Sequence, residues 1–217
     1  EGYMTASQVA YDLLTAGKTL EQIVDGDRKS YVMQYIDWKH IENNAFHVTE
    51  EFAVSRTGMS DTYRPDIVLF VNGIPLCVIE CKRPDIKDSL NQAISQHLRN
   101  QKEDGIRSLY VYSALLLATN VNEVSYATTG TPKKFWNKWT EQFVDKTAEE
   151  LYRYKLSEKV NQKHVVSDMS WKEYRMCAEP TVQYGSLKTP SIQDSYLYNL
   201  CRPDRLLNLM YRFTLYD

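Results

Sequence analysis

An aspartate, a glutamate and a lysine stand at the ends of two apolar segments of this 217-residue chain. Asp66 precedes the run 67–71, while Glu80 and Lys82 close the run that begins at Ile74. Glu80 and Lys82 are two residues apart, so on a strand their side chains share one face, about 7 Å apart. Burying charges without partners is costly, so the convergence of three charged groups needs a chemical reason.

A divalent cation is one such reason. Two carboxylates, a backbone carbonyl and water molecules form the oxygen-rich octahedral site that Mg²⁺ prefers. Such a metal polarises a phosphoryl oxygen and lowers the pKa of bound water, and a nearby ammonium stabilises charge on the phosphate. This set of groups indicates phosphodiester hydrolysis. The alternative is a structural salt bridge of Lys82 with Asp66 or Glu80 at the rim of a sheet, the usual meaning of an isolated E-x-K sequence.

The two apolar segments flank Asn72-Gly73, a dipeptide that tolerates the positive φ angles of a type I′ turn. The sequence therefore predicts a β-hairpin, and because both runs are apolar on both faces, both strands should be central in a sheet. Antiparallel pairing brings Asp66 close to Glu80. Counted outward from the turn, the two carboxylates are out of register by about one residue, which a β-bulge near Pro75 would absorb.

The segment 64–84 reads RPDIVLFVNGIPLCVIECKRP. Its Pro65-Asp66 and Glu80-Cys81-Lys82 resemble the PD-(D/E)xK nuclease signature. The whole segment resembles the endonuclease domain of the restriction (R, motor) subunit of type I restriction–modification enzymes. The similarity extends to further parts of the sequence, at 42–49, 96–100, 124–136 and 202–217.

The resemblance implies a role for each matching residue. Asp66 and Glu80 would hold Mg²⁺, for which Mn²⁺ can substitute, together with the backbone carbonyl of Cys81. Lys82 would be the catalytic lysine. Gln96, on the helix that follows, would help to position DNA or the lysine.

Other candidates are weaker. Where the family has Q-x-x-x-Y, this sequence has Asn100 in place of the tyrosine, and an amide cannot stack on a sugar or base. Glu42 would supply a further carboxylate, or is an exposed acid at a helix end. Arg99, Lys133 and Lys134 would contact a phosphate backbone, although a basic face beside a tryptophan is more often a solvated helix side.

The remaining pattern predicts an α/β protein with a restriction-endonuclease-like mixed central sheet flanked by helices. We expect a helical lead-in at 1–41, a nuclease core at 42–130 and a mostly helical extension at 131–217 leading to a translocase absent from this chain. Individual elements follow from spacing of apolar residues: helices at 5–17, 20–38, 87–102 and 204–212, strands at 46–54, 108–118 and 124–128, helical segments from Pro132 onward, and the start of a strand at 213–216. The pattern of 161–188 is unclear, and the role of 155–188 is open.

Composition excludes several classes. Lys+Arg 26 against Asp+Glu 28 gives a net charge of −2, which excludes coating of nucleic acid by bulk charge but not a local basic groove. The four cysteines form no C-x-x-C pair, so a closed zinc site is not expected, and the histidines show no ligand spacing. No apolar stretch is long enough to cross a bilayer. No G-x-x-x-x-G-K-[ST] occurs, so ATP would act only through a downstream motor.

The expected function is therefore Mg²⁺-dependent endonucleolytic cleavage of double-stranded DNA, as the nuclease part of a type I restriction enzyme. The resemblance implies methyltransferase and specificity subunits as partners, and a cytoplasmic location. Two alternatives stay open. One is a catalytically silent nuclease fold that binds DNA or other subunits, and the other is a different nuclease of the same superfamily, such as a repair or standalone enzyme.

Overall fold

A mixed five-stranded sheet forms the centre of the computed structural model, which describes residues 2–161 and 188–213. In their spatial order, its strands are β3 (Phe46–Glu50), β6 (Ile67–Val71), β7 (Ile74–Cys81), β8 (Leu115–Thr119) and β9 (Val124–Ala127). Only β7 and β8 run parallel to each other. The predicted α/β architecture is confirmed, with β6 and β7 in the interior of the sheet.

Helices cover both faces of the sheet. They are α1 (Tyr3–Ala16), α2 (Ser89–Asn100), α3 (Arg107–Tyr110), α4 (Lys146–Asn161), α5 (Ile192–Leu200) and α6 (Pro203–Phe213). Apolar residues of α1, α5 and α6 pack on one face, around Cys77, Ile79 and Leu117. Residues of α3 pack on the other face around Val68 and Val78, and residues of α2 pack there around Ala118. No helix in the described residues has the length and apolar content needed to cross a membrane.

The hairpin between β6 and β7 has the predicted turn. Asn72 and Gly73 have φ angles of 50° and 80°, both in the left-handed region that a type I′ turn requires. The Asn72 side chain also ties the turn to the preceding segment: its Oδ1 accepts from the Ala45 amide at 2.7 Å, and its Nδ2 donates to the Tyr35 carbonyl and to Asn44 Oδ1, each at 2.8 Å. The turn thus fixes the start of β3 as well as the hairpin.

Replacing Asn72 with alanine should destabilise the chain by about 2 kcal/mol, because it removes these hydrogen bonds and places a residue of lower αL tolerance at positive φ. Urea unfolding of Asn72→Ala, compared with the wild type, measures the change. The matched control is Asn122→Ala, which removes an exposed asparagine side chain between β8 and β9. Equal unfolding free energies for the two variants would contradict the role given to Asn72.

A β-bulge lies near Pro75, as predicted. Phe70 pairs with Pro75, but Leu69 pairs with Cys77, so Leu76 is the extra residue in β7. From there the register continues to Ile67 and Ile79, which places Asp66 opposite Glu80. If the same residues paired regularly from the turn, without the bulge, Asp66 would lie opposite Ile79, whose side chain points to the other face of the sheet.

Residues 20–38 do not form the predicted helix. They belong largely to a hairpin of β1 (Lys18–Val24) and β2 (Asp27–Met33), joined by Asp25-Gly26 with φ angles of 56° and 86°. The prediction was wrong because Leu20, Ile23 and Val24 happen to have helical spacing, whereas Asp-Gly is itself a type I′ turn signal. All side chains of this ribbon are exposed. Neither strand therefore has a buried face, and the sequence lacks the alternation of apolar and polar residues that identifies a strand.

Three other predictions need correction. The apolar run 108–118 is not one strand, because its first part lies in α3 and only Leu115–Thr119 forms β8; an apolar run alone does not distinguish a buried helix from a strand. Strand β3 stops at Glu50, since Glu51 has φ 47°, and Val54–Ser55 forms the short β4 with Thr62–Tyr63 as β5. After Pro132 the chain has only a 3₁₀ turn at Lys133–Phe135 before α4.

The predicted helices at 5–17, 87–102 and 204–212 correspond to α1, α2 and α6, and the strand at 124–128 corresponds to β9. The strand expected from Phe213 does not begin there, because Phe213 ends α6, and the rest of that segment lies outside the described residues. Most of 155–188 also lies outside them.

Candidate active site

The three residues that the sequence singled out meet at one end of the sheet. Glu80 and Lys82 follow Val78 on the face of β7 that α2 covers, and Asp66 precedes Val68 on the same face of β6. Asp66 Oδ2 accepts from the Cys81 amide at 2.6 Å and lies 3.8 Å from Lys82 Nζ. The three charged groups therefore form one cluster instead of pointing to opposite sheet surfaces.

Lys82 is placed between two oxygens. Its ammonium donates to the Cys81 carbonyl at 3.3 Å and pairs with Asp66, while a fifth of its side chain stays exposed. This is the same carbonyl that the resemblance assigns to the metal. The lysine is thus held at the mouth of the site, within reach of anything bound there.

Glu80 is fully buried, and α2 supplies donors to both of its oxygens. Gln96 Nε2 donates to Oε2 at 2.5 Å, and Asn100 Nδ2 donates to Oε1 at 3.2 Å. Gln96 and Asn100 are four residues apart, so they lie one above the other on the same face of the helix. Gln96 thus lies behind the site, where the resemblance implied. Asn100, which stands in place of the family's tyrosine, contacts the carboxyl group of Glu80 directly.

Burial raises the pKa of Glu80 to about 8, and the neighbouring Asp66 contributes both by charge repulsion and by a side-chain hydrogen bond. The positive charges of Lys82 and Arg99 oppose this rise in pKa but do not cancel it. A divalent cation would attract both carboxyl groups in their ionised form. It would therefore lower the electrostatic cost of holding two carboxylates close together at a partly closed site.

The two carboxylates and the carbonyl are donors of the kind that bind a hard divalent cation such as Mg²⁺. Among residues 2–161 and 188–213, no cluster of three or more His, Cys, Asp or Glu side chains suited to a metal is found. Mg²⁺ is usually held by one or two carboxylates and keeps several water molecules. Asp66, Glu80 and the Cys81 carbonyl satisfy that requirement, whereas a closed all-protein site for zinc would need more side chains.

Glu42 does not join this cluster. It lies in a 3₁₀ turn, Ile41–Asn43, ahead of β3, where its carboxylate is three-quarters exposed and pairs with His40 at 3.6 Å. The following Asn44 contacts Asn72 in the hairpin turn, so Glu42 enters at the opposite end of β6 from Asp66. Because β3 runs antiparallel to β6, the structure places Glu42 apart from the other two carboxylates, in the position of the exposed acid that was the alternative interpretation.

Two of the three basic candidates lie beside the site. Arg99 and Lys133 line one polar cleft of about 350 Å³ with Lys82 and Gln96. Lys134 instead lies over the Phe135 ring, 4.8 Å from its centroid.

Sequence reasoning singled out Arg99 but missed three residues near it, which are Arg56, Tyr63 and Tyr110. The guanidinium groups of Arg99 and Arg56 both lie over the Tyr63 ring, at 4.4 and 4.5 Å from its centroid, and Tyr63 is three residues before Asp66 in the chain. Tyr110 lies behind Asn100, with its hydroxyl 3.4 Å from Asn100 Nδ2. No spacing rule connects these residues to the site, since each reaches it through a tertiary contact.

A mixed sheet with this Pro-Asp and Glu-x-Lys set at one end, backed by a glutamine on the following helix, defines the PD-(D/E)xK nuclease class. Within that class, residues 3–135 match the family model described as the N terminus of the type I restriction enzyme R protein. The match covers more than half of the chain, and the chain belongs to this family.

The names of individual relatives agree with this family. The putative type I restriction enzyme MjaIXP endonuclease subunit of Methanocaldococcus jannaschii is 30% identical over 133 residues, which are 61% of this chain and 12% of that protein. The type I restriction enzyme HindI endonuclease subunit of Haemophilus influenzae is 33% identical over 116 residues, 52% of this chain and 11% of that protein. The chain thus spans about a tenth of the length of these relatives.

Proposed function

We propose that this chain is the nuclease part of a type I restriction enzyme R subunit and that it cleaves double-stranded DNA with Mg²⁺. The observation that carries the proposal is the single cluster of Asp66, Glu80 and Lys82 on the α2 face of the sheet. Mn²⁺ is expected to substitute for Mg²⁺. Membership of the family and the names of the relatives support the role of the subunit.

Asp66, Glu80 and the Cys81 carbonyl would hold the cation, which would supply polarisation of a phosphoryl oxygen and a lowered pKa for a water molecule. Gln96 and Asn100 orient the Glu80 carboxylate. Lys82 is placed to donate a hydrogen bond to the attacking water or to a non-bridging phosphate oxygen. Water attacks the phosphorus, the bond to the leaving sugar oxygen breaks, and that oxygen takes up a proton.

Sequence specificity, translocation and use of ATP are not assigned to these residues. In our proposal they belong to the rest of the subunit and to methyltransferase and specificity subunits, and the assembly works in the cytoplasm. With a net charge of −2, this chain alone should bind DNA weakly.

The test is cleavage of a plasmid by the complete enzyme, assembled with its companion subunits and ATP, in Mg²⁺, in Mn²⁺ and after chelation. We expect double-strand breaks with either metal and none after chelation. Metal binding without breaks would favour the silent binding module, and breaks that require no companion subunit would favour a standalone nuclease.

Within the proposed site, the cleft beside α2 should carry the DNA backbone. Lys133→Ala is expected to weaken binding of duplex DNA by the whole enzyme and to reduce the slope of log affinity against log salt by about 1, because one phosphate contact is lost. Lys134→Ala should have the smaller effect, since Lys134 packs on Phe135.

Gel-shift titrations at several salt concentrations measure both quantities. The control is Lys29→Ala, an equal change of charge on the exposed β1–β2 hairpin. A salt slope that is unchanged in Lys133→Ala would remove the cleft from the DNA path.

A further inference from the structure

A buried chain of hydrogen bonds runs from Glu80 into the core. Asn100 Nδ2 lies 3.2 Å from Glu80 Oε1 and 3.4 Å from the hydroxyl oxygen of Tyr110. That hydroxyl lies 3.0 Å from His97 Nδ1, and His97 Nε2 lies 2.9 Å from the carbonyl oxygen of Leu117. The side chains of Glu80, Asn100, Tyr110 and His97 are all inaccessible to solvent. A buried polar network lowers the stability of the fold unless each of its polar groups has a hydrogen-bond partner.

The direction of this chain is set at its far end. The Leu117 carbonyl only accepts, so His97 Nε2 carries the proton. Burial lowers the pKa of His97 to about 4, which keeps the imidazole neutral at pH 7 and makes Nδ1 an acceptor. The Tyr110 hydroxyl must therefore donate to His97, and its oxygen is left to accept from Asn100.

This order fixes the amide of Asn100. Its Nδ2 faces Tyr110 and Glu80, while its Oδ1 accepts from Arg99 Nη2 at 3.0 Å. A flipped amide would place Oδ1 against the Glu80 carboxylate. With Gln96 on Oε2 and Asn100 on Oε1, both oxygens of Glu80 have one donor each, and the plane of the carboxylate is defined.

We propose that Asn100 and Tyr110 are positioning residues that hold the Glu80 carboxylate in the orientation required to bind the divalent cation. Tyr110 acts through Asn100 and does not touch the reacting groups. This inference rests on the proposed function, since it concerns the same metal site. Position 100 is also the point where the sequence departs from the family pattern, and a tyrosine hydroxyl reaches that asparagine from α3 instead.

The experiment is a double-mutant cycle on metal affinity. Mn²⁺ binding to the 217-residue chain is measured by electron paramagnetic resonance for the wild type, Tyr110→Phe, Asn100→Leu and the double variant. Tyr110→Phe removes one oxygen atom, and leucine keeps the number and branching of the heavy atoms of asparagine, so neither substitution opens a large cavity in the core. Loss of a group that orients a metal ligand typically weakens affinity 10- to 100-fold, so we expect about tenfold for each single variant.

The double variant should bind Mn²⁺ no more weakly than Asn100→Leu alone, because Tyr110 has nothing to act through once the amide is gone. Tyr112→Phe is the matched control: it removes the hydroxyl of a tyrosine that is 44% exposed and two residues away, and its affinity should equal the wild type. Thermal melts in chelator confirm that each variant is folded. If Asn100→Leu melts below the assay temperature, Asn100→Ser replaces it.

The outcomes distinguish a failure of the proposed function from a failure of the positioning role given to Asn100 and Tyr110. A wild-type chain that binds no Mn²⁺ would overturn the proposed function and this inference with it. Binding by the wild type with an unchanged affinity in Tyr110→Phe, or with losses that add in the double variant, would overturn the inference and leave the proposed function intact.

Discussion

Replacing Lys82 with alanine is expected to lower the rate of DNA cleavage by the complete enzyme at least about 10²- to 10³-fold, the usual cost of losing one donor that stabilises a transition state. Its ammonium is the only Lys or Arg group for which the described residues give an ion pair with Asp66, and it remains partly exposed at the mouth of the site. Asp66→Asn should cause a comparable loss, because the amide keeps the shape of the side chain and an acceptor for the Cys81 amide but removes the charge.

Plasmid linearisation measures the rate, and urea unfolding checks that each variant stays folded. Lys29→Ala and Asp12→Asn make the same chemical changes on exposed parts of β2 and α1 and should cleave normally. Cleavage by Lys82→Ala at the wild-type rate would leave only the salt-bridge interpretation of the Glu-x-Lys sequence.

Glu80 should make the stability of the metal-free chain fall as the pH rises. Its folded-state pKa is about 8, raised by burial and by Asp66 from an ordinary value of 4.5. The protonated form is retained in the folded chain while the unfolded chain ionises, so the contribution is complete below pH 4.5 and is lost as the pH rises towards 8. Between pH 5 and 8 the expected loss is on the order of 3 kcal/mol.

Glu80→Gln, which resembles the protonated group, should remove this loss, and Mg²⁺ or Mn²⁺ should restore the stability of the wild type at pH 8 through binding to the folded state. Urea unfolding in chelator at the two pH values measures the effect. Glu42→Gln is the matched control, because its carboxylate is exposed, and it should behave as the wild type does. Parallel pH dependence in wild type and Glu80→Gln would contradict the burial of a protonated glutamate.

The central hairpin could be predicted because its signals are local. Asn72-Gly73 sets the turn, the uninterrupted apolar runs set two interior strands, and the register count alone required an irregularity near Pro75. Convergence of Asp66, Glu80 and Lys82 then follows from the geometry of antiparallel pairing. The position of Gln96 followed from the family resemblance, not from spacing.

The rest depended on contacts between distant segments. The β1–β2 ribbon is exposed on both faces, so it lacks the alternation that identifies a strand, and its apolar residues mimic a helix. Tyr110 was placed within a predicted strand because α3 and β8 share one apolar run. Its link to Asn100 exists only because α2 and α3 pack on the same face of the sheet.

The extra residue Leu76 has a consequence for comparing relatives of this chain. An alignment gap of one residue at Leu76 would describe a protein whose β6–β7 hairpin pairs regularly and still has Asp66 opposite Glu80. A relative that lacks this residue would therefore keep both acids on one face of the sheet without a β-bulge, whereas a relative with one further residue in β7 would need a second irregularity to do so. The number of residues between the two acids thus predicts whether β7 of a relative carries a bulge.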